Sequence, residues 1–240
     1  MDHVLLAVWQ PLGLTPLPWL AVTIAAYVLG QMVQRACKGA ALANPVLIAI
    51  LVVSSLLEAT GTPYTSYFAG AQFIQFLLGP ATVALAVPLA LNLNHVRRSF
   101  HGVGLALLAG SLTSALSGVA VVALLGGGRA IALSMAPKSV TTPIALSLSQ
   151  EIGGVPPLTA ALAIAGGIIA AIVGRTILRW LRVDDWRAHG LAAGVAGSGI
   201  AASQVAPLSG LAAAFAALGI GLNGLLTAAF VPLLAMLWPQ

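Results

Sequence analysis

The chain has 240 residues, of which 60% are hydrophobic and only 6% are charged, with a formal net charge of +5 and a mean hydropathy of +1.03. A soluble domain carries about 25% charged residues, so this composition excludes a soluble protein and predicts an integral membrane protein. The basic residues flank apolar segments, as in cytoplasmic loops, which argues against a nucleic-acid partner.

The apolar runs predict the fold class. One helical crossing needs about 20 apolar residues, so the length allows at most about eight to ten crossings. The runs are rich in Ala and Leu and do not alternate, which favours α-helices over a β-barrel. We therefore expect one all-α polytopic transmembrane domain over residues 1–240, a bundle that includes broken helices. In chain order, the predicted helices cover residues 18–36, 45–57, 72–92, 102–125, 157–181 and 208–238.

Three segments depart from a simple span. "GTPYTSYFAG" (residues 61–70) is expected to be a polar connector. "GLAAGVAGSGIAASQVAP" (residues 190–207) is too short and too rich in glycine to span securely alone, so it either spans or re-enters. In the last helix, Gly219, Gly221 and Gly224 are expected to loosen the middle, and Asn223 between them is expected to make an interhelical hydrogen bond.

The segment "ALSMAPKSVTTPIALSLSQEIGG" (residues 132–154) places a lysine and two prolines between apolar runs. Pro137 can end one helix and start another, whose first amides, at Lys138, Ser139 and Val140, would then lack partners. A helix N-terminus carries partial positive charge, and Lys138 adds a full one. With the hydroxyls of Ser139, Thr141 and Thr142, this predicts a site for a small carboxylate in a broken helix.

The alternative for Lys138 is a surface position from which its amine reaches the headgroups. Charge distribution supports the broken helix. Basic residues cluster around residues 35–38, 97–98 and 175–187, and the positive-inside rule puts all three clusters in the cytoplasm. Three full crossings between the second and third clusters would violate that rule, so we expect residues 132–154 to be re-entrant.

A second segment resembles this one. Residues 79–92 ("GPATVALAVPLALN") and 136–149 ("APKSVTTPIALSLS") share a Pro-x-Thr/Ser-Val pattern and a later proline, with Pro80, Thr82 and Val83 matching Pro137, Ser139 and Val140. Repeated broken helices indicate a transporter's binding site. The alternative is two unrelated proline kinks.

Catalytic and metal-site patterns are missing from the sequence. It contains no paired carboxylates, no HExxH and no nucleophile–base pair, and its four histidines lie far apart. The single cysteine, Cys37, excludes an internal disulfide framework. We expect no enzyme activity and no cofactor.

"PKSVTTPIA" (residues 137–145) followed by "IGGVPPLTA" (residues 152–160) closely resembles the LrgB/CidB family, and the likeness covers most of the chain. The resemblance implies an inner-membrane carrier of small monocarboxylates such as glycolate, glycerate, pyruvate or lactate. It also implies, as the alternative, a holin-like antiholin role in murein hydrolase export and cell lysis. The residues carried over as substrate-binding are Pro137, Lys138, Ser139, Thr141 and Thr142, with Asn44 and Thr82 besides. The expected partners are a second copy of the chain and a small LrgA/CidA-like membrane protein.

One departure from the family pattern concerns Ser198. Where relatives have a histidine and later an acidic residue, this chain has Ser198 and Pro207. A histidine is the side chain that titrates near neutral pH, so its replacement favours passive exchange or another coupling ion over proton coupling. Ser198 is also predicted to contribute a further wall of the carboxylate site.

Overall fold

The computed structural model describes residues 17–237 apart from 38–39, 41–42, 78–79, 81–82 and 85. The described chain is helical and divides into two compact units after Ala84. The helices are α1 (Leu17–Ala36), α2 (Pro45–Thr60), α3 (Tyr64–Phe76), α4 (Ala86–Leu91), α5 (Leu93–Arg98), α6 (Phe100–Leu124), α7 (Arg129–Met135), α8 (Thr142–Glu151), α9 (Pro156–Trp180), α10 (Trp186–Val205) and α11 (Gly210–Leu237), with a 3-10 turn at Ala206–Leu208.

In the first unit, α1 packs against both α2 and α3, and its Trp19 is buried. Gly30 of α1 lets the start of α2 approach closely, since a Cβ there would lie 2.7 Å from the Pro45 carbonyl oxygen. The ring of Tyr67 meets that of Trp19 edge to face, with centroids 5.9 Å apart.

The prediction of a polar connector over residues 61–70 is wrong for most of that segment, because it is helical from Tyr64 onward. The connector is confined to the turn at Gly61, and α3 begins at Tyr64. The rings of Tyr64 and Phe68 stack one helical turn apart, with centroids 5.7 Å apart. Aromatic contacts of this kind outweigh the polarity of the segment.

In the second unit, α11 is the central helix. Its residues Ala212, Ala214, Phe215 and Val231 are almost fully buried. The glycines do not loosen it, contrary to expectation, because α11 is a single helix of 28 residues. Gly219 is instead a contact surface: a Cβ there would lie 3.0 Å from the Leu191 carbonyl oxygen of α10.

Five described helices have the length and apolar composition of a membrane span: α1, α6, α9, α10 with the following turn, and α11. Together with the family assignment below, they make the chain a multi-pass membrane protein. The predicted all-α polytopic architecture is confirmed.

Helices α7 and α8 are too short to cross a bilayer, at about 10 and 15 Å. Helix α7 begins where Arg129 donates to the Ala235 carbonyl near the end of α11, and it leads to Ser139, which meets Asn223 halfway along α11. Helix α8 then runs antiparallel to α9, with Ser149 beside Thr159 and Ala145 clustered with Ala163. The chain therefore reverses direction at residues 136–141; we call α7, these residues and α8 the first hairpin.

Helix α10 also reverses. Its first arm, residues 186–197, lies beside the beginning of α11, since a Cβ at Gly190 would overlap the Ala212 carbonyl oxygen. Ser198 then has φ 49° and ψ −137°, which breaks the helix. Only eleven residues lie between Ser198 and Gly210 at the start of α11, so the second arm, residues 199–205, returns toward the beginning of α11. We call the two arms the second hairpin. This segment is accordingly not one straight helix, and the structure thus has the second of the two alternatives that its length and glycine content leave open.

Candidate functional site

Residues 136–141 form the tip of the first hairpin. Ala136, Pro137, Ser139 and Val140 are buried. The second helix starts at Thr142 with Thr141 as its N-cap, and not at Lys138 as predicted. The amides expected to be free are partly used in turns, because the Lys138 N–H donates to the Met135 carbonyl at 3.4 Å and the Val140 N–H donates to the Pro137 carbonyl at 3.3 Å. The backbone of this tip is therefore not an open row of donors.

Lys138 extends its side chain to α6. Its ammonium donates to the Ser114 carbonyl and, at 3.2 Å, to the Ser114 hydroxyl. Gly118, one turn further along α6, provides the space, because a Cβ there would lie 2.8 Å from Nζ. Among the described residues, no carboxylate lies within ion-pairing distance of this amine. The tip thus carries a half-buried cation whose charge no described side chain balances.

Asn223, 1% exposed, joins the tip to three helices. Its Nδ2 donates to the Ser139 carbonyl at 3.0 Å and to the Val195 carbonyl of α10 at 3.3 Å. Its Oδ1 accepts from the Ser111 hydroxyl of α6. The predicted interhelical hydrogen bond of Asn223 is confirmed, and its acceptor at Ser139 lies in the tip, two residues before the N-cap of α8.

The two hairpins approach Asn223 from opposite ends of α11. The first hairpin starts near Ala235, and the second starts near Ala212. Both reach the level of Asn223, where Ser139 and Val195 accept from one amide group. Two discontinuous helices therefore meet at the middle of the central helix, close to Lys138.

Ser198 is the break of the second hairpin. A non-glycine residue at a φ of 49° is uncommon and strained, and such residues cluster at functional sites. Its buried hydroxyl has no hydrogen-bond partner among the described residues. Ser198 is only three residues beyond Val195, which places it on the hairpin that Asn223 ties to Ser139.

A network of hydroxyls holds the first hairpin against α9. The Ser134 hydroxyl accepts from the Val155 amide at 2.8 Å, and the Thr159 hydroxyl donates to the Ser134 carbonyl at 3.1 Å. Ser149 and Thr159 are 2.7 Å apart through their hydroxyl oxygens. All three hydroxyl side chains are fully buried, so this network fixes where α7 and α8 enter and leave the tip.

The remaining predicted site residues lie as follows. Thr141 and Thr142 are half-buried at the start of α8. Asn44 belongs to the first unit, where its Oδ1 accepts from the Val46 amide at 2.9 Å and caps α2. Thr82 lies outside the described residues, whereas Pro80 and Val83 of the proposed repeat are described. No group of three His, Cys, Asp or Glu side chains in the described ranges could hold a metal ion.

Sequence reasoning missed the α6 side of the site. Ser114 and Gly118 belong to a row of small residues spaced four apart that begins at Gly110. Such a row signals a close helix contact, yet nothing in the sequence says that the contact is with a lysine. Ser134, Ser149 and Thr159 carried no periodic signal at all.

Comparisons with known proteins identify relatives of the chain. A model of the LrgB-like family matches residues 23–237. The chain is 29% identical over 220 residues to the antiholin-like protein LrgB of Bacillus cereus strain B4264, covering 92% of this chain and 96% of that one. The antiholin-like protein LrgB of Bacillus anthracis strain CDC 684 gives the same values. No solved structure gives a significant match.

Proposed function

Because the chain belongs to the LrgB-like family, a holin-like group of membrane proteins, we propose that it is an antiholin-like protein of the cytoplasmic membrane. In this function it modulates murein hydrolase export and cell lysis and catalyses no reaction. The observation that supports it is that relatives named antiholin-like match 92% of the chain. A second copy and a small LrgA/CidA-like membrane protein are its proposed partners.

A bacterial strain lacking its own copy of the gene tests this function. Restoring the wild-type gene should reduce murein hydrolase activity in the culture medium and delay lysis. Unchanged lysis, with the protein present in the membrane at normal amounts, would contradict the antiholin-like function.

A second function has independent support from the site itself: a carrier of small monocarboxylates. The supporting observation is the pair of hairpins that reach Asn223 from opposite ends of α11, with the ammonium of Lys138 at one tip. Broken helices that meet near the membrane midplane are the usual substrate sites of secondary transporters. If α11 crosses the bilayer, the two hairpins enter it from opposite sides.

Binding in this proposal exchanges one partner of Lys138 for another. The substrate carboxylate accepts from the ammonium in place of the Ser114 carbonyl, and the attraction between two opposite full charges exceeds that between the ammonium and a neutral carbonyl. The N-terminus of α8 adds its partial positive charge at Thr142. The half-buried hydroxyls of Thr141 and Thr142 supply further donors.

Movement of either hairpin would then open the site to one side of the membrane. Ser198, which stands at the break of the second hairpin, does not titrate in the physiological range. We therefore propose that the carrier exchanges carboxylates passively or couples to an ion other than the proton.

Uptake of radiolabelled glycolate into proteoliposomes tests the carrier. Wild-type protein should give saturable flux with and without a proton gradient, and Lys138→Ala should remove it. Arg97→Gln, an exposed cation on α5, is the matched control and should retain flux. If a panel of short carboxylates gives no saturable flux with folded protein, the carrier is excluded for the chain alone. An antiholin-like effect that survives Lys138→Ala would separate the two functions.

A further inference from the structure

A groove of about 210 Å³ runs along the second hairpin. It is lined by α9 and by both arms of α10, and six of its lining residues are alanines: Ala170, Ala171, Ala192, Ala193, Ala196 and Ala201. Small-molecule pockets usually hold about 300–1,000 Å³. A space this narrow and this apolar suits a hydrocarbon chain better than a compact polar metabolite.

The packing of α9 and α10 explains why the groove exists. The helices touch closely at Gly167 and Gly197, where a Cβ on Gly197 would lie 3.1 Å from the Gly167 carbonyl oxygen. Between this crossing and the loop that joins the helices, the short alanine side chains cannot fill the gap between the two backbones. The opening is thus a property of the fold and not of one side-chain rotamer.

The end of the groove near that loop is cationic. Arg175 lines it, and this guanidinium forms no ion pair with any described carboxylate. Arg179 and Arg182 follow on the same exposed end of α9, whereas Arg187 is already paired with Asp185 at 2.6 Å. The positive-inside rule puts this end at the cytoplasmic surface. Basic pockets between transmembrane helices on that side bind anionic lipid headgroups.

His189 gives a second, independent indication. Its ring lines the groove and is 6% exposed. Nε2 lies 2.8 Å from the Val183 carbonyl oxygen, but buried Nδ1 has no partner among the described residues. A buried polar atom without a hydrogen bond is costly, so the groove presents an unused polar group beside the loop that joins α9 and α10.

We propose that this groove binds an anionic phospholipid, with one acyl chain along the alanines of α9 and α10 and the phosphate between Arg175 and His189. The lipid would lie between the arms of the second hairpin and α9. This site is separate from Lys138 and does not depend on the functions proposed above.

Native mass spectrometry of the full-length protein in detergent tests the site, with phosphatidylglycerol and phosphatidylcholine of identical acyl chains as probes. Phosphatidylglycerol should be retained about fivefold more than phosphatidylcholine, the effect expected for one arginine at the surface. Arg175→Gln should abolish that preference, and the control Arg97→Gln should keep it. Equal retention of both lipids by the wild type would overturn the proposal. So would an equal preference for phosphatidylglycerol in Arg175→Gln and Arg97→Gln.

A second variant tests the apolar part. Ala193→Leu fills the groove and should reduce retention of both lipids while circular dichroism shows unchanged helix content. Inorganic phosphate should not displace the lipid; displacement would show an anion site without a chain site and overturn the proposal. The proposal would also be overturned if the wild type formed a dimer without bound lipid and Ala193→Leu dissociated that dimer. This result would show that a second copy of the chain fills the groove.

Discussion

At the scale of single residues, the amine of Lys138 rests on the backbone of α6, and Ser114 and Gly118 determine where it lies. The proline, the lysine and the hydroxyls in one segment predict Lys138 as a site residue, and this stays a prediction. Ser114 and Gly118 could not be predicted as its neighbours, because they lie at least twenty residues away and are ordinary members of an apolar helix. The same holds for Asn223, whose hydrogen bonding was predictable but whose acceptors at Ser139 and Val195 were not.

Gly118→Ala should displace the Lys138 amine from Ser114. The new methyl carbon would lie 2.8 Å from Nζ and 3.3 Å from the Met135 carbonyl oxygen, so the side chain must move, at a cost of about 1–2 kcal/mol in the free energy of unfolding. We expect a several-fold loss of glycolate uptake in proteoliposomes. Gly104→Ala on the same helix meets open space and should retain uptake. Equal uptake by both variants would contradict a role for this contact.

Asn223→Ala should destabilise the second unit. The change leaves the Ser111 hydroxyl and the carbonyls of Ser139 and Val195 without their partner. A buried group without its partner costs about 1–3 kcal/mol, so we expect the free energy of unfolding to fall by about 2–4 kcal/mol. The exposed Asn94→Ala is the control for chemical denaturation in detergent. A difference below about 0.5 kcal/mol between the two variants would refute this account of Asn223.

At the scale of elements, the helices with uninterrupted apolar runs were predicted to within a few residues, since α6 and α9 begin and end close to the expected positions. Prediction failed at α3 and at the start of α8. Helix α3 forms from aromatic contacts that composition does not show. Helix α8 starts later than expected because turns at residues 136–140 satisfy amides that were taken to be helical.

The break in α10 at Ser198 leads to a prediction about stability. Ser198→Gly should stabilise the protein, because glycine adopts a positive φ without strain, and such strain costs about 1–3 kcal/mol. Ser203→Gly, an exposed position on the second arm, should instead lower the free energy of unfolding by about 0.5–1 kcal/mol. Thermal unfolding of the two variants beside the wild type should therefore show shifts of opposite sign. A destabilised Ser198→Gly would show that the serine side chain, and not the backbone, determines this position.

At the scale of the whole molecule, the charge distribution predicted that one segment between α6 and α9 reverses direction, and the structure has that reversal at residues 136–141. The reversal at Ser198 was left open, because a glycine-rich segment of about 20 residues is compatible with both a span and a hairpin. The backbone contact of Gly190 with Ala212 decides between the span and the hairpin. It is a long-range contact, which local composition does not predict.

Cysteine labelling tests this topology, with Cys37→Ser as the background. Asp184→Cys and Pro207→Cys should react with a membrane-impermeant thiol reagent from the same side, because the second hairpin returns the chain to the end from which α10 starts. Gly128→Cys should react from the opposite side, since α6 and α11 separate it from both. If α10 crossed the membrane as one helix, Pro207→Cys would instead react together with Gly128→Cys.

The backbone contact between the first arm of α10 and α11 also limits how the molecule can change shape. Gly190 and Gly194 fit against Ala212 and Ala216 so closely that either residue bearing a Cβ would collide with a carbonyl oxygen. Sliding the arm by one residue would bring Leu191 or Val195 to that place, so residues 186–197 and α11 must move as one rigid body. In the proposed carrier, a gate at this end would thus be restricted to the second arm, with Ser198 as its hinge.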